Sequence, residues 1–303
     1  MSPKAQWIAI TGGCLAVFVF LRLLPVESCE FLHYGDYVDD NGVIEGCGYE
    51  ETSFFDLSEL RFPILFELVP DHPPVVGQRT QFTLMLRTTT GRAIDYENIA
   101  VTHTERLHAL VVDASMDDYQ HIHPEPMGPP GHFRFELTPQ RAGDYQVYLD
   151  FIPLTNSRRT LLAAGFSVLE ADPVESQERA PQMRGKQLLA RAGDYTFELA
   201  LSDETLQAGE PFEMELSLKD SARPAPQFEL VMGAYAHLVA FDPARVGFAH
   251  LHPMNPIVEG QDPSRPDMRF QLELDRPGQY RVWAQVQIGG EELFLPFDLH
   301  LET

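Results

Sequence analysis

Lysine is nearly missing from this chain: Lys4, Lys186 and Lys219 are the only ones in 303 residues. Lys and Arg together number 22 against 45 Asp and Glu, a formal charge of -23. Nucleic-acid binding needs a basic face, so that class is excluded, and broad attachment to anionic lipid goes with it. Cysteine is scarce too. Three in the whole chain rule out a disulfide-dense mini-domain and any four-cysteine zinc or iron–sulfur site. Also missing are a nucleophile elbow, a phosphate-binding loop and a dinucleotide fingerprint. Beyond the N-terminus no segment carries a convincing 3.6-residue apolar stripe, and only 184–191 reads as a short helix. What is present is a 44% apolar chain, long enough for two domains with cores of their own.

Lys4 precedes an uncharged run, Trp7–Leu21, closed by Arg22-Leu23-Leu24-Pro25. Its length falls between a signal-peptide core and a full span of about 20 residues. Lys4 on the short side and acidic residues on the far side set the N-terminus in the cytoplasm and the rest outside. Residues 7–24 are thus expected in the inner membrane. Residues 1–26 are either an uncleaved anchor, leaving the chain on the periplasmic side, or a cleaved signal that releases it to the periplasm or beyond. An exported chain meets an oxidising compartment, where Cys29 and Cys47 make an even pair. A bridge between them would contribute roughly 3 kcal/mol by loop closure. Cys14, inside the apolar run, is left inert.

Between Arg22 and Arg61 stand ten acidic residues and no Lys or Arg. Residues 27–61 therefore read as an acidic stalk or docking segment. Phe31, Tyr34, Tyr37, Tyr49, Phe54 and Phe55 are the contacts it would offer an envelope partner. Asp39-Asp40-Asn41-Gly42 fails as a calcium loop, because Tyr37 stands where the first Asp should be. It reads as a hairpin turn between Tyr37-Val38 and Val43-Ile44.

The remainder is one domain written twice. Phe66-Glu67-Leu68, Gly77 and alternating Phe82, Leu84, Leu86 match Phe197-Glu198-Leu199, Gly209 and alternating Met214, Leu216, Leu218. Phe133-Arg-Phe135 matches Met268-Arg-Phe270, and Gly143-Asp-Tyr145-Gln-Val147 matches Gly278-Gln-Tyr280-Arg-Val282. Period-2 alternation with turn signals between short runs is the mark of strands. The expected class is all-β: two tandem immunoglobulin- or cupredoxin-like β-sandwiches after an N-terminal transmembrane or signal helix. The copies are 62–170 and 193–303, and 171–192, rich in Glu, Pro, Gln and Arg, is the linker.

Six of the eleven histidines fall in matched blocks, His-x4-Asp-x7-His-x-His-Pro. They are His108, His121 and His123 in the first copy and His237, His250 and His252 in the second, aligned without a gap. On a hairpin, counting outward from the turn pairs Val112 with Tyr119, Leu110 with His121 and His108 with His123. All share one face, because strands have a period of two. His108 and His123 then lie ~5 Å apart and His121 ~7 Å diagonally. Three imidazoles at such distances can supply metal–nitrogen bonds of about 2.0 Å. Each copy is accordingly expected to hold one three-histidine metal site. Asp113 and Asp242 read as turn caps rather than ligands.

Imidazole suits several metals; affinity order and an oxidising setting favour copper, with zinc as the alternative. Met127 and Met254 follow the His-x-His-Pro blocks, and either add a soft thioether or merely pack in loops. No cysteine lies in either copy, which excludes a blue-copper site.

The blocks Met232-Gly-Ala-Tyr-Ala-His237, Phe248-Ala-His250-Leu-His252-Pro253 and Pro277-Gly-Gln-Tyr-Arg-Val-Trp-Ala-Gln resemble a group of exported bacterial tandem β-sandwich proteins with His-x-His-Pro blocks. These are loosely similar to YtkA-like domains and periplasmic copper-resistance sandwiches. The resemblance spans 193–303 well and 62–170 less well, where Thr104-Glu-Arg-Leu replaces the Met-Gly-Ala-Tyr lead-in. It implies heavy-metal or copper binding. The function expected is thus a non-enzymatic, membrane-tethered metal binder for handling or delivery. A structural subunit of an envelope assembly is the alternative, and a three-histidine zinc hydrolase or lyase a lesser one. No acid or base recurs beside the histidines in both copies, as such a hydrolase would want.

Overall fold

Alternation of apolar and polar residues resolves into strands throughout. The computed structural model describes residues 2–23, 53–58, 60–171, 186–221, 226–255, 257 and 260–303. The chain divides into two units, Met1–His33 and Tyr34–Thr303. In the first, α1 (Pro3–Leu23) carries Trp7, Leu15 and Phe20 exposed. Its stretch Pro3–Phe20 is long and apolar enough to cross a membrane. Cys14 lies exposed on it. The expected hairpin turn at Asn41-Gly42 and the Cys29–Cys47 pair lie outside the described residues.

Among the described residues the second unit opens with β1 (Phe55–Asp56) and continues with eight strands of the first copy. These are β2 (Ile64–Pro70), β3 (Thr80–Thr88), β4 (His108–Asp113), β5 (Tyr119–Ile122), β6 (Glu125–Pro126), β7 (His132–Leu137), β8 (Gly143–Phe151) and β9 (Thr160–Val168). They form two four-stranded sheets, β2-β3-β7-β6 and β5-β4-β8-β9. Inward positions of both close one core: Phe82, Leu84 and Phe133 face Ala109, Val111, Val147 and Leu149.

The second copy repeats the plan with β10 (Leu189–Ala192), β11 (Tyr195–Leu201), β12 (Leu206–Gln207), β13 (Phe212–Ser221), β14 (Phe228–Glu229), β15 (Ala236–Phe241), β16 (Gly247–Leu251), β17 (Arg269–Leu272), β18 (Gly278–Ile288) and β19 (Glu291–Glu302). One sheet is β10-β11-β13-β17; the other runs β1-β16-β15-β18-β19-β12, with β14 on β18. Phe197, Leu199 and Met214 meet Leu238, Ala240, Val282 and Ala284 in its core. Two tandem immunoglobulin-like sandwiches are therefore the architecture. Each has a tyrosine at the entrance to its late long strand. Tyr280 donates to the Arg276 carbonyl at 3.0 Å, and Tyr145 accepts from the Arg141 amide at 3.1 Å.

Two segments differ from the sequence expectation. Residues 53–57, read as the end of a stalk, join the second sandwich: Phe55 pairs with Phe248 and Asp56 with Gly247. A Cβ on Gly247 would overlap the Phe55 carbonyl oxygen, so only glycine permits this approach. The described part of 184–191 is extended, not helical. Leu189 and Arg191 are exposed and Ala190 is buried, a period of two that fits pairing with β11.

The sandwiches pack face to face. Every residue of β4 and of β15 is buried. One face of each strand feeds its own core, and the other meets the partner sandwich. Tyr119 contacts Phe241, Trp283 and Phe294 with ring centroids 5.7, 5.8 and 5.7 Å away, and Tyr148 contacts Phe241 and Phe248 at 5.7 and 5.1 Å. Polar contacts register the two halves. The Tyr148 hydroxyl donates to the Arg245 carbonyl at 2.6 Å, and Trp283 Nε1 and Arg281 donate to the Met116 carbonyl at 3.2 and 2.9 Å.

Candidate metal centre

Hairpin register places the histidines. Leu110 opposes His121 and Val112 opposes Tyr119, as the outward count predicts. In the second copy Val239 opposes His250 and Phe241 opposes Phe248. The turns are held by the aspartates: Asp113 accepts amide bonds from Ser115, Asp117 and Asp118, and Asp242 from Ala244 and Val246. His123 and His252 lie one residue beyond their strands. Their rings still reach His108 and His237, at centroid distances of 5.0 and 4.5 Å.

Because the histidine-bearing faces are the ones that meet, the six residues do not sit in two separate pockets. They form one cluster between the sandwiches. His121 and His250, from different copies, have ring centroids 5.2 Å apart, and His108 and His250 5.7 Å. Two sets of three have ligand nitrogens all within 4.8 Å of one another: His108/His121/His123, and His121/His237/His250, which crosses the interface.

A hydrogen bond across the interface sets the tautomer of His121. Gln285 Nε2 donates to Glu292 at 3.0 Å, so its Oε1 faces His121 and accepts from Nδ1 at 3.0 Å. The His121 proton is thereby on Nδ1 and the lone pair on Nε2. His108 Nε2 lies 3.1 Å from the Thr102 carbonyl oxygen and 3.3 Å from the Thr102 hydroxyl, so it can donate to the one or accept from the other. His108 Nδ1 and His121 Nε2 face each other at 3.2 Å. Tetrahedral coordination with 2.0 Å bonds has a ligand–ligand edge of about 3.3 Å. Other nitrogens are buried with no hydrogen-bond partner: His123 Nε2, both nitrogens of His237, and His250 Nε2.

Burial is the main force on the titration of these rings. It pushes His108, His121 and His237 well below the ordinary histidine range, with neighbouring imidazoles adding to the shift. His123 is lowered to about 4 by burial and by His250. His250 is lowered by burial against the pull of Asp150. The rings are thus neutral at pH 7, the form that ligates metal.

The structure adds residues that the motif did not contain. Asp150 Oδ2 lies 3.5 Å from His250 Nδ1, leaving Nε2 turned to the cluster. Burial alone would raise the Asp150 pKa, but Arg159 and His250 hold it far below the carboxylate range. Arg159 grips both Asp150 oxygens, at 3.0 and 2.5 Å. Asp150 opposes His108 on β8, and Gln285 opposes His237 on β18. The offset between them is the one relating the two Gly-x-Tyr-x-Val blocks. Each copy thus supplies the support for the other copy's middle histidine, a signal the repeat alignment carried but the histidine motif did not.

His103 is the other addition. It stacks on His252 with centroids 3.5 Å apart and lies 6.2–6.4 Å from His108, His237 and His250. His103 (φ 51°) and Thr104 (φ 72°) are left-handed, and so are Met232 (φ 50°) and Gly233 (φ 78°) at the matching place in the second copy. A left-handed non-glycine residue costs on the order of 1 kcal/mol or more, so both turns need support. Reciprocal bonds between Thr102 and Glu105, and between Val231 and Ala234, close them. Met254 stands 43% exposed near His252. Met127 lies instead beside Thr83, its sulfur 3.9 Å from the hydroxyl.

The model of a family described as a domain of unknown function (DUF8832) matches residues 66–164 and 190–303. No curated protein matches the chain. Among solved structures, fibronectin(III)-like modules of Clostridium thermocellum CbhA are similar at 9% identity, covering 78% of this chain and 94% of that one, with a TM-score of 0.18.

Proposed function

The chain belongs to the DUF8832 family, and from the geometry between its sandwiches we propose that it is an exported, membrane-tethered metal-binding protein. Copper is the preferred metal, zinc the alternative, and the role is metal handling or delivery rather than catalysis. One observation carries this reading: His123 Nε2, both nitrogens of His237 and His250 Nε2 are buried with no hydrogen-bond partner, in one cluster with His108 Nδ1 and His121 Nε2, which lie 3.2 Å apart. Buried polar atoms without partners are costly, and a metal ion would satisfy several of these nitrogens at once.

His121 has a single lone pair to give, so the two overlapping histidine sets cannot both be completed by it. Binding is therefore expected in two unequal steps, a tight first ion and a weaker second one. The carrier role is supported by Asp150, the carboxylate 3.5 Å from His250, which Arg159 occupies and which is no free base. Export is supported by the apolar helix Pro3–Leu23, with Lys4 in its first turn and an acidic chain behind.

The test is titration of the full chain with Cu(II), Cu(I) and Zn(II), beside a variant with His121 and His250 both changed to Ala. One to two equivalents, with tight binding lost in the variant, are expected. Binding no stronger in the wild type than in the variant would overturn the proposal.

A further inference from the structure

Beside the histidine cluster lies a cleft of about 260 Å3, lined by His103, His252, Met232 and Met254 among others. We propose that this cleft is a docking site for a soft monovalent cation of the Cu(I) class, from which the ion passes to the buried imidazoles. The inference rests on the cluster being a metal centre. It adds a second site, a preference in oxidation state and a direction of entry.

Donor chemistry is the first support. Thioether sulfur is a soft ligand that favours Cu(I) and discriminates against zinc, which the imidazole cluster by itself does not. The repeat supplies the second support. His103 and Met232 occupy matched positions in the two copies, both are held left-handed, and both residues line the same cleft. Strained non-glycine backbone at both equivalent turns, each bringing a residue with a metal-binding side chain to the lining of one cleft, is what a built site looks like.

His252 makes the connection. It lines the cleft, and its ring lies 4.5 Å from His237 and 4.8 Å from His250, which belong to the cluster. An ion held by the Met sulfurs and His252 is thus one ligand exchange from the buried nitrogens, with no change of oxidation state. The entry is one-sided. The first-copy residues at the positions of Met232 and Met254 are His103 and Glu125, so the thioether pair exists only on the second sandwich.

The experiment uses the full chain and a Met232→Leu, Met254→Leu double variant. Leucine matches methionine in size and branches away from the backbone, and an unchanged Zn(II) titration checks that the cluster survives. Under anaerobic Cu(I), the wild type should show sulfur ligation by X-ray absorption at excess metal. It should take up one Cu(I) more than the variant and load the cluster at least tenfold faster, with equal Zn(II) loading rates. A wild type that binds Zn(II) at the cluster, yet takes up Cu(I) without sulfur contact and no faster than the variant, overturns the docking site and leaves the cluster standing. A chain that binds no Zn(II) overturns the cluster, and the hand-over with it.

Discussion

His121 in the first sandwich and Gln285 in the second are joined by a 3.0 Å hydrogen bond across the interface, and that bond decides which nitrogen of His121 faces the cluster. Its counterpart is the approach of Asp150 in the first sandwich to His250 in the second. The two halves therefore orient each other's central ligand.

Replacing Gln285 with Leu should weaken the tight metal step. Orienting partners of this kind are typically worth 10- to 100-fold in affinity. Competition against a chromophoric chelator reads the change, and near-ultraviolet circular dichroism from the Tyr119–Trp283 contact reports whether the interface survives. Unchanged affinity in a folded variant would show that His121 needs no help from Gln285.

Without metal, the protein should lose stability as pH falls. The unfolded chain takes up protons below the ordinary histidine value of 6.5, whereas burial delays protonation of the native cluster, at His123 until about 4. Between those values the unfolded state binds more protons, so unfolding becomes easier as pH drops, by ~1.4 kcal/mol per unit of depression for each ring. Denaturant midpoints at pH 7.5, 6 and 5 should fall steadily. A flat profile would mean that the native rings accept protons freely.

Asp150→Asn should be strongly destabilising. It leaves the buried Arg159 guanidinium facing a neutral amide, and removing one member of a buried pair typically costs about 3–5 kcal/mol. Urea unfolding at pH 7.5 measures it. A loss under about 1 kcal/mol would indicate that Arg159 is solvated in solution.

Gly247→Ala should detach the edge strand. The added methyl clashes with the Phe55 carbonyl, so residues 53–57 should become sensitive to protease while the sandwich they leave stays folded. Equal protection in variant and wild type would mean that β16 can shift to make room.

Much of this was legible beforehand. The repeated blocks specified two sandwiches, and outward counting from Asp113 reached the observed pairing of Leu110 with His121. The meeting of the two histidine faces was not legible. His108-Ala-Leu-Val-Val-Asp113 is apolar on both faces, a pattern that says a strand is covered twice without saying by what. His103 escaped because its match in the second copy is Met232, so a search for repeated histidines passes over it. Asp150 and Gln285 escaped for the same reason: they share a place on the strand but not a side chain.

That last difference has a history written into it. Two identical subunits meeting face to face must present the same residue at both equivalent positions, Asp in both or Gln in both. Covalent fusion of the two copies removes that obligation. The joined chain keeps one charged and one neutral support, and one turn ending in His where the other ends in Met. Symmetry-breaking of this kind lets a duplicated fold make its two halves chemically unlike, which a dimer of two identical chains cannot do.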